Sequence, residues 1–469
     1  MVFSSVIFIC FFLPLTVLGS YILDNKYKNA FLLIMSLIFY SWGEPSFTII
    51  FIISMIINYL LGLLLDKSKN RKAILVVGLI LNFGTLIFYK YLSFIIKNII
   101  FVTKSNTLES FASSNELLAI ALPIGISFYT FQSVSYLIDL YRKEIEVQRN
   151  LKNLMLYISL FPQLIAGPIV RYIDVQKEIA YRNISTSDIK EGIHRFCIGL
   201  SKKVLISNSV ALYADTAFSQ VEQYGSLGTL AAWLGILCYT IQIYFDFSGY
   251  SDMAIGMGKM LGFHFLENFN YPYISKTITE FWKRWHISLS GWLKDYLYIP
   301  LGGNRKGKSK TYINLFIVFF ICGLWHGAQW TFVVWGIYQG VFLIFERFFN
   351  ISKKKTTIFS NIYTLLVIMI GWVLFRAESL SIAFRYLKIM FTFNKGESLL
   401  GDIVSLRLTI SALIVGCIFA TPIYNKILMK YKENKLFNLF KDMAILFLLV
   451  LCIIRIVPQN YNPFIYFRF

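Results

Sequence analysis

Unbroken apolar stretches approaching twenty residues recur from one end of this chain to the other, and they leave it few ways to fold. Val6 to Ile22, Thr48 to Leu65, Ala73 to Phe88 and Met443 to Val457 are examples. A helix of about twenty such residues crosses a hydrocarbon core of about 30 Å. Inside that core every backbone amide must be bonded within the protein, which admits only helices and closed barrels. Unbroken runs, rather than alternation of apolar and polar residues, select helices. The reading is an all-α polytopic membrane protein. Composition agrees: 15% of the 469 residues are charged and 57% are apolar, against about a quarter charged in soluble domains. Arg455, near the end of the last run, has a side chain long enough to reach the interface.

The first run has no basic segment before Val6 and no small-residue cleavage site after Ile22, so it reads as a retained span rather than a signal peptide. Cys10, Cys197, Cys238, Cys322, Cys417 and Cys452 all lie in or beside apolar stretches without a CxxC pair. They read as small packing groups, and no metal site is expected. A net charge of +20 fits either nucleic acid or anionic lipid, and its distribution decides. The basic residues cluster between apolar runs, at Lys67 to Lys72, Arg142 to Lys152, Arg171 to Lys190, Arg305 to Lys310, Lys353 to Lys355 and Lys426 to Lys435. That is the pattern of cytoplasmic loops facing membrane lipid, and it argues against nucleic acid.

With those loops inside, the N-terminus lies outside. Asp215 to Gly228, acidic and without Lys or Arg, also belongs outside. Two segments have basic flanks on both sides. Leu151 to Val170 contains Phe161-Pro-Gln-Leu-Ile-Ala-Gly-Pro168, whose prolines and glycine suit a broken, re-entrant element. Thr311 to Phe345, with Gly323, His326 and Gly327 at its middle, reads as a helical hairpin or a pair of spans meeting near His326. Continuous spans number roughly eleven. The largest polar interruption, Asp246 to Lys310, falls on the cytoplasmic side, and chemistry is expected near it.

Four histidines occur: His194, His264, His286 and His326. His326, in Gly323-Leu-Trp-His-Gly-Ala328, lies at mid-membrane depth, where an ionisable group faces a cavity or a partner. Its alternatives are a neutral imidazole satisfying a neighbouring helix and a reactive group. Gly323 and Gly327 leave room for a ligand chain, and Trp325 and Trp330 are placed to wall it. His286 lies in Phe281-Trp-Lys-Arg-Trp-His-Ile-Ser-Leu-Ser290. The interleaving of Trp282, Lys283, Arg284 and Trp285 also describes an interfacial anchor at the headgroup level. The turn Gly302-Gly303-Asn304, followed by Arg305 and Lys306, permits backbone amides to converge on an anion. In Tyr244-Phe-Asp-Phe-Ser-Gly-Tyr-Ser-Asp-Met253, Asp246 and Asp252 stand at the end of a span in a structural or positioning role. Ser248 or Ser251 is placed to cap the next helix.

Taken together, Leu122-Pro-Ile-Gly-Ile-Ser-Phe-Tyr-Thr-Phe-Gln132, the Pro162 to Pro168 and Asp246 to Asp252 segments, Phe281 to Asn304 and Gly323 to Ala328 resemble the membrane-bound O-acyltransferase family, in its bacterial alginate O-acetyltransferase-like branch. The resemblance runs from Met1-Val-Phe-Ser4 to Gly371-Trp-Val-Leu-Phe-Arg376. It implies one membrane-embedded domain over residues 1–469. The fold it implies is a ring of helices around a central tunnel, with re-entrant and interfacial elements.

The resemblance also implies His326 as the catalytic histidine, and places His286 at a second position occupied by Asn, Asp or His. It implies acetyl-coenzyme A as cytoplasmic donor and no tightly bound cofactor. The implied acceptor is a polysaccharide outside the cell membrane, reached directly or through an SGNH-type extracytoplasmic acetyltransferase. Trp325, Trp282, Lys283, Arg284, Gly302, Gly303, Asn304, Arg305, Asp246 and Asp252 are the residues expected at the donor and substrate. His286 is expected to orient the thioester or to donate a hydrogen bond to its carbonyl. The rival is a transporter or pore that passes acetyl groups or lipid-linked glycan without chemistry. Broken helices and intramembrane polar groups occur there too, but such proteins usually show internal symmetry, and none is detectable here.

Overall fold

The computed structural model describes residues 2–115, 117–165, 167–351, 357–393 and 403–458. The basic run 353–355, Ala166 and Lys395 lie outside the described residues. Every regular element among the described residues is helical. The chain divides into two compact units, Met1–Ile193 with Ala254–Leu266, and His194–Met253 with Glu267–Phe469.

The first unit contains helices α1 (Thr48–Lys67), α2 (Arg71–Leu86) and α3 (Ile126–Arg142). Helix α1 explains how an almost wholly apolar sequence is sorted. Phe51, Met55, Asn58, Gly62 and Leu65 recur on one face and are buried, while Ile49, Ile53, Leu60 and Leu64 stay exposed. A helix with an outward apolar face is stable in lipid and not in water. Between α1 and α2, Asn58 and Asn82 exchange side-chain hydrogen bonds at 3.1 and 2.8 Å. Each amide satisfies the other where no water is available. Phe3, Phe8, Phe12, Phe39 and Phe161 form one buried aromatic cluster. The segment expected to be broken is broken. A helix over Leu151–Ser159 stops at Leu160, and a single turn follows over Phe161–Leu164.

The second unit holds the candidate site. It takes in the C-terminal part of α4 (Thr186–Ser201) and most of α5 (Thr229–Met260), with α6 (Ile278–Arg284) and α7 (Ile287–Leu293) following. Next come α8 (Gly307–His326), α9 (Trp330–Phe348) and α10 (Ile358–Arg376). The expected hairpin is present as α8 and α9, joined by three residues after His326. Its two helices meet backbone to backbone. A Cβ on Gly323 would lie 2.4 Å from the Phe332 carbonyl oxygen, and one on Gly336 would lie 2.4 Å from that of Phe319. Small residues let membrane helices approach this closely. Gly323 is therefore filled by its partner helix, and a Cβ on Gly327 would meet the Phe332 ring at 2.3 Å. Neither glycine leaves the space for a ligand expected from the sequence.

Four described helices are long and apolar enough to cross a membrane: Thr48–Lys67, Arg71–Thr103, Thr229–Met260 and Ile358–Arg376. A bent pair, Leu406–Phe419 and Ile423–Lys430, makes a fifth if read as one span. This is fewer than the eleven expected. Helices such as α8 begin in basic residues, Lys308 and Lys310, and others are interrupted, as at Leu160.

Candidate active site

Helix α5 runs unbroken through Asp246, Ser248, Ser251 and Asp252, so neither serine caps a helix as expected. Both aspartates are instead taken up by ion pairs. Helix α4 continues into a π-helical turn, Lys202–Ser207, and its first two lysines each take one acid. Lys203 pairs with Asp246, both buried. Lys202 meets Asp252 at 2.6 Å, and Arg195 bridges Asp252 and Glu267 at 2.6 Å each. At the same crossing a Cβ on Gly199 would lie 2.5 Å from the Gly249 carbonyl oxygen. The pairs clamp two helices in backbone contact. Asp246 and Asp252 therefore hold structure, their carboxylates engaged by Lys203, Lys202 and Arg195.

His326 ends α8 and is 5% exposed. Three rings meet its imidazole edge to face: Trp325 at 5.0 Å, Trp335 of α9 at 5.1 Å and Phe375 of α10 at 5.2 Å. Trp325 walls the imidazole as expected. Trp330 is exposed, and Trp335 takes the position expected of it.

Trp325 also connects the two histidines, because its ring lies 5.9 Å from that of His286. His286 is fully buried and sits at the start of α7 with φ +44, a left-handed conformation uncommon outside glycine. Phe247 of α5 packs edge to face on it at 4.6 Å. The sequence allowed His286 to be an interfacial anchor with a solvated face, and its complete burial corrects that. Burial pushes the imidazole of His286, which lies between the spans, down to about 3. It is therefore neutral across the physiological range.

What holds this element was not read from the sequence. Glu346 of α9 is fully buried and accepts from the amides of Ile278 and Thr279, at 2.5 and 2.9 Å, and from the Thr279 hydroxyl at 2.8 Å. It satisfies the orphan amides at the start of α6 from another helix. Trp282 of α6 donates from Nε1 to Gln339 Oε1 at 3.3 Å and meets the Trp335 ring at 5.8 Å. Asn268 accepts from its neighbours around His286. Acids and amides inside apolar sequence are the only signal for these residues. Glu346 stands between Phe345 and Arg347 near the C-terminal end of α9. Replacing Glu346 with alanine strands two amides and a hydroxyl, at about 1–3 kcal/mol for a buried unmet group. The expected result is a lower thermal midpoint in detergent and transfer reduced about tenfold, with glutamine closer to wild type. An unchanged midpoint in the alanine variant would remove Glu346 as the anchor.

The remaining expected residues lie apart from this cluster. Arg284 is bound to Glu280 at 2.9 Å and to the Asn270 carbonyl at 3.0 Å. Lys283, Asn304, Arg305 and Lys306 are exposed. The amide cradle expected at the glycine turn does not form from its central amides. Gly302 and Gly303 donate to the carbonyls of Ile299 and Tyr298, each at 2.9 Å, and Arg305 donates to Gly302 at 3.1 Å. These amides close a helix end, and the two glycines supply the positive φ it needs. The other two histidines lie against carboxylates, His264 against Glu178 at 2.8 Å and His194 against Asp442 at 3.3 Å. Of the cysteines, Cys197, Cys238, Cys322 and Cys452 are buried and packed as expected, while Cys10 and Cys417 are exposed. Among the described residues no group of three or more His, Cys, Asp or Glu stands close enough to hold a metal.

This helical membrane chain has counterparts in sequence among known proteins. The profile of the membrane-bound O-acyltransferase family matches residues 141–382. The chain is 38% identical to "Probable alginate O-acetylase AlgI" of Azotobacter vinelandii, over 100% of both chains. It is 36% identical to the peptidoglycan O-acetyltransferase of Helicobacter pylori, over 84% of this chain and 80% of that one. To the teichoic acid D-alanyltransferase of Bacillus subtilis it is 31% identical, over 54% and 69%. The chain belongs to the membrane-bound O-acyltransferase family. It is an O-acyltransferase and a multi-pass membrane protein.

Proposed function

We propose that this enzyme moves an acetyl group from cytoplasmic acetyl-coenzyme A to hydroxyls of an exported or cell-wall polysaccharide. Transfer is direct or goes through an SGNH-type extracytoplasmic partner. The observation that carries this reading is likeness along the whole chain to a relative named for alginate O-acetylation, together with the relative named for peptidoglycan O-acetylation. Residues 1–469 act as one domain in the bacterial cytoplasmic membrane, with the N-terminus outside. About eleven spans and re-entrant helices surround a central tunnel.

In this mechanism His326, in its aromatic enclosure, accepts the proton of the acceptor hydroxyl. The oxygen attacks the thioester carbonyl and a tetrahedral oxyanion forms. It collapses with cleavage of the carbon–sulfur bond, and the thiolate leaves as free thiol with the proton that His326 took up. His286, with Trp282 and Trp325, orients the thioester arm. Lys283, Arg305 and Lys306, exposed and basic, draw the coenzyme A phosphates, with Asn304 beside them.

The test is turnover by the purified protein in detergent, with acetyl-labelled coenzyme A and a short glycan, with and without an added SGNH-type protein. Label in a new ester on glycan or partner is expected. Passage of label across a reconstituted membrane without any ester formed would favour the transporter reading instead.

A further inference from the structure

The side chain of Asn268 is fully buried, and its orientation follows from the backbone. The Ser288 amide N–H, which can only donate, points at Asn268 Oδ1 at 3.1 Å. That atom is therefore the oxygen, and the amide nitrogen Nδ2 is left to donate to Ser251 Oγ at 3.1 Å, as it does. The same Oδ1 lies 3.1 Å from His286 Nδ1. An oxygen acceptor facing a ring nitrogen requires the proton on that nitrogen. Ser288 Oγ also donates to Oδ1, at 2.9 Å. The other ring nitrogen, Nε2, is buried and has no hydrogen-bond partner among the described residues. A buried acceptor left unmet is costly, and a group entering beside it can offset that cost.

We infer that Asn268 is a positioning residue that fixes His286 in its Nδ1–H form, so that Nε2 meets the substrate as a hydrogen-bond acceptor. This reverses the sequence expectation that His286 donates to the thioester carbonyl, since a neutral ring protonated at Nδ1 has no proton at Nε2. The partner of Nε2 is an N–H or O–H of the substrate: an amide of the donor's arm or the acceptor hydroxyl. The inference rests on the proposed acyl transfer and names the polarity of one of its groups. The support continues one step outward. Asn268 is held by Ser251 of α5, and the carboxylates adjoining the two, Glu267 and Asp252, are bound by Arg195 and Lys202. No free carboxylate is thereby left on these supports to favour the imidazolium.

Kinetics of four variants test this. Asn268→Ala is expected to lower kcat about tenfold or more with a smaller change in KM, because the ring loses its tautomer and orientation. Asn268→Asp keeps an acceptor on Nδ1–H and is expected to restore most of kcat. It should also move the acid limb of the pH–rate profile up by about one unit, since a carboxylate beside the ring favours its charged form. Asn268→Ala combined with His286→Ala is expected to be no slower than His286→Ala alone. If His286→Ala is slow but the Asp variant leaves the pH profile unmoved, the tautomer assignment is overturned. Additive losses in the double variant overturn it as well. If His286→Ala is as fast as wild type, the placing of His286 at the reacting groups fails instead. Should Asn268→Ala not accumulate in the membrane, the Asp variant's profile alone decides.

Discussion

Replacing His326 with alanine is expected to reduce acetyl transfer by about 10²–10⁴-fold, the usual contribution of a positioned general base. The protein should still insert and accumulate. The packing argument for that second half is specific. The imidazole is enclosed by Trp325, Trp335 and Phe375, and the last two rings hold each other. Trp335 meets Phe375 at 5.0 Å and stacks on Trp372 at 6.1 Å, so the box survives loss of its contents. His326→Gln, closer in volume and unable to take the proton, should be as inactive as alanine. Full ester formation by either variant, at wild-type abundance in the membrane, would end the case for proton abstraction at this position.

The second large effect is on stability. Removing Asp246 leaves the Lys203 ammonium buried without its carboxylate, and breaking a buried pair from one side costs about 3–5 kcal/mol. Asp246→Leu should therefore lower the thermal midpoint in detergent sharply and reduce the amount of folded protein. Replacing both partners, Lys203→Met with Asp246→Leu, removes the stranded charge together with its cause and should recover most of that loss. Equal midpoints for the single and double variants would show that the pair contributes nothing beyond packing. The double variant also separates two roles. Recovered stability with absent transfer would mean the charges act on chemistry, and recovery of both would mean they only clamp α4 to α5.

Much of this architecture was legible because membrane helices announce themselves through length. The break at Leu160 and the hairpin around His326 could be read from prolines, glycines and basic flanks, since those features act locally on the backbone. The burial of His286 was not legible. Its neighbours Lys283 and Arg284 look like an interfacial helix, yet α6 is only a turn or two long, and its start is held by Glu346, far off in sequence. The same distance hides Asn268, which acts on His286 from eighteen residues away. The glycines mislead for a related reason. Sequence shows that Gly323 makes space but not which neighbour takes it, and Gly336 of the partner helix does. Asp246 and Asp252 are taken up by ion pairs whose partners, consecutive lysines on a π-helical turn, are set by helix crossing rather than by local pattern.

The left-handed backbone at residue 286 limits what can replace its histidine. Asn, Asp and His are the non-glycine residue types that enter that basin most readily. In this chain a side chain at that position must therefore suit the main-chain bend before its proton chemistry counts.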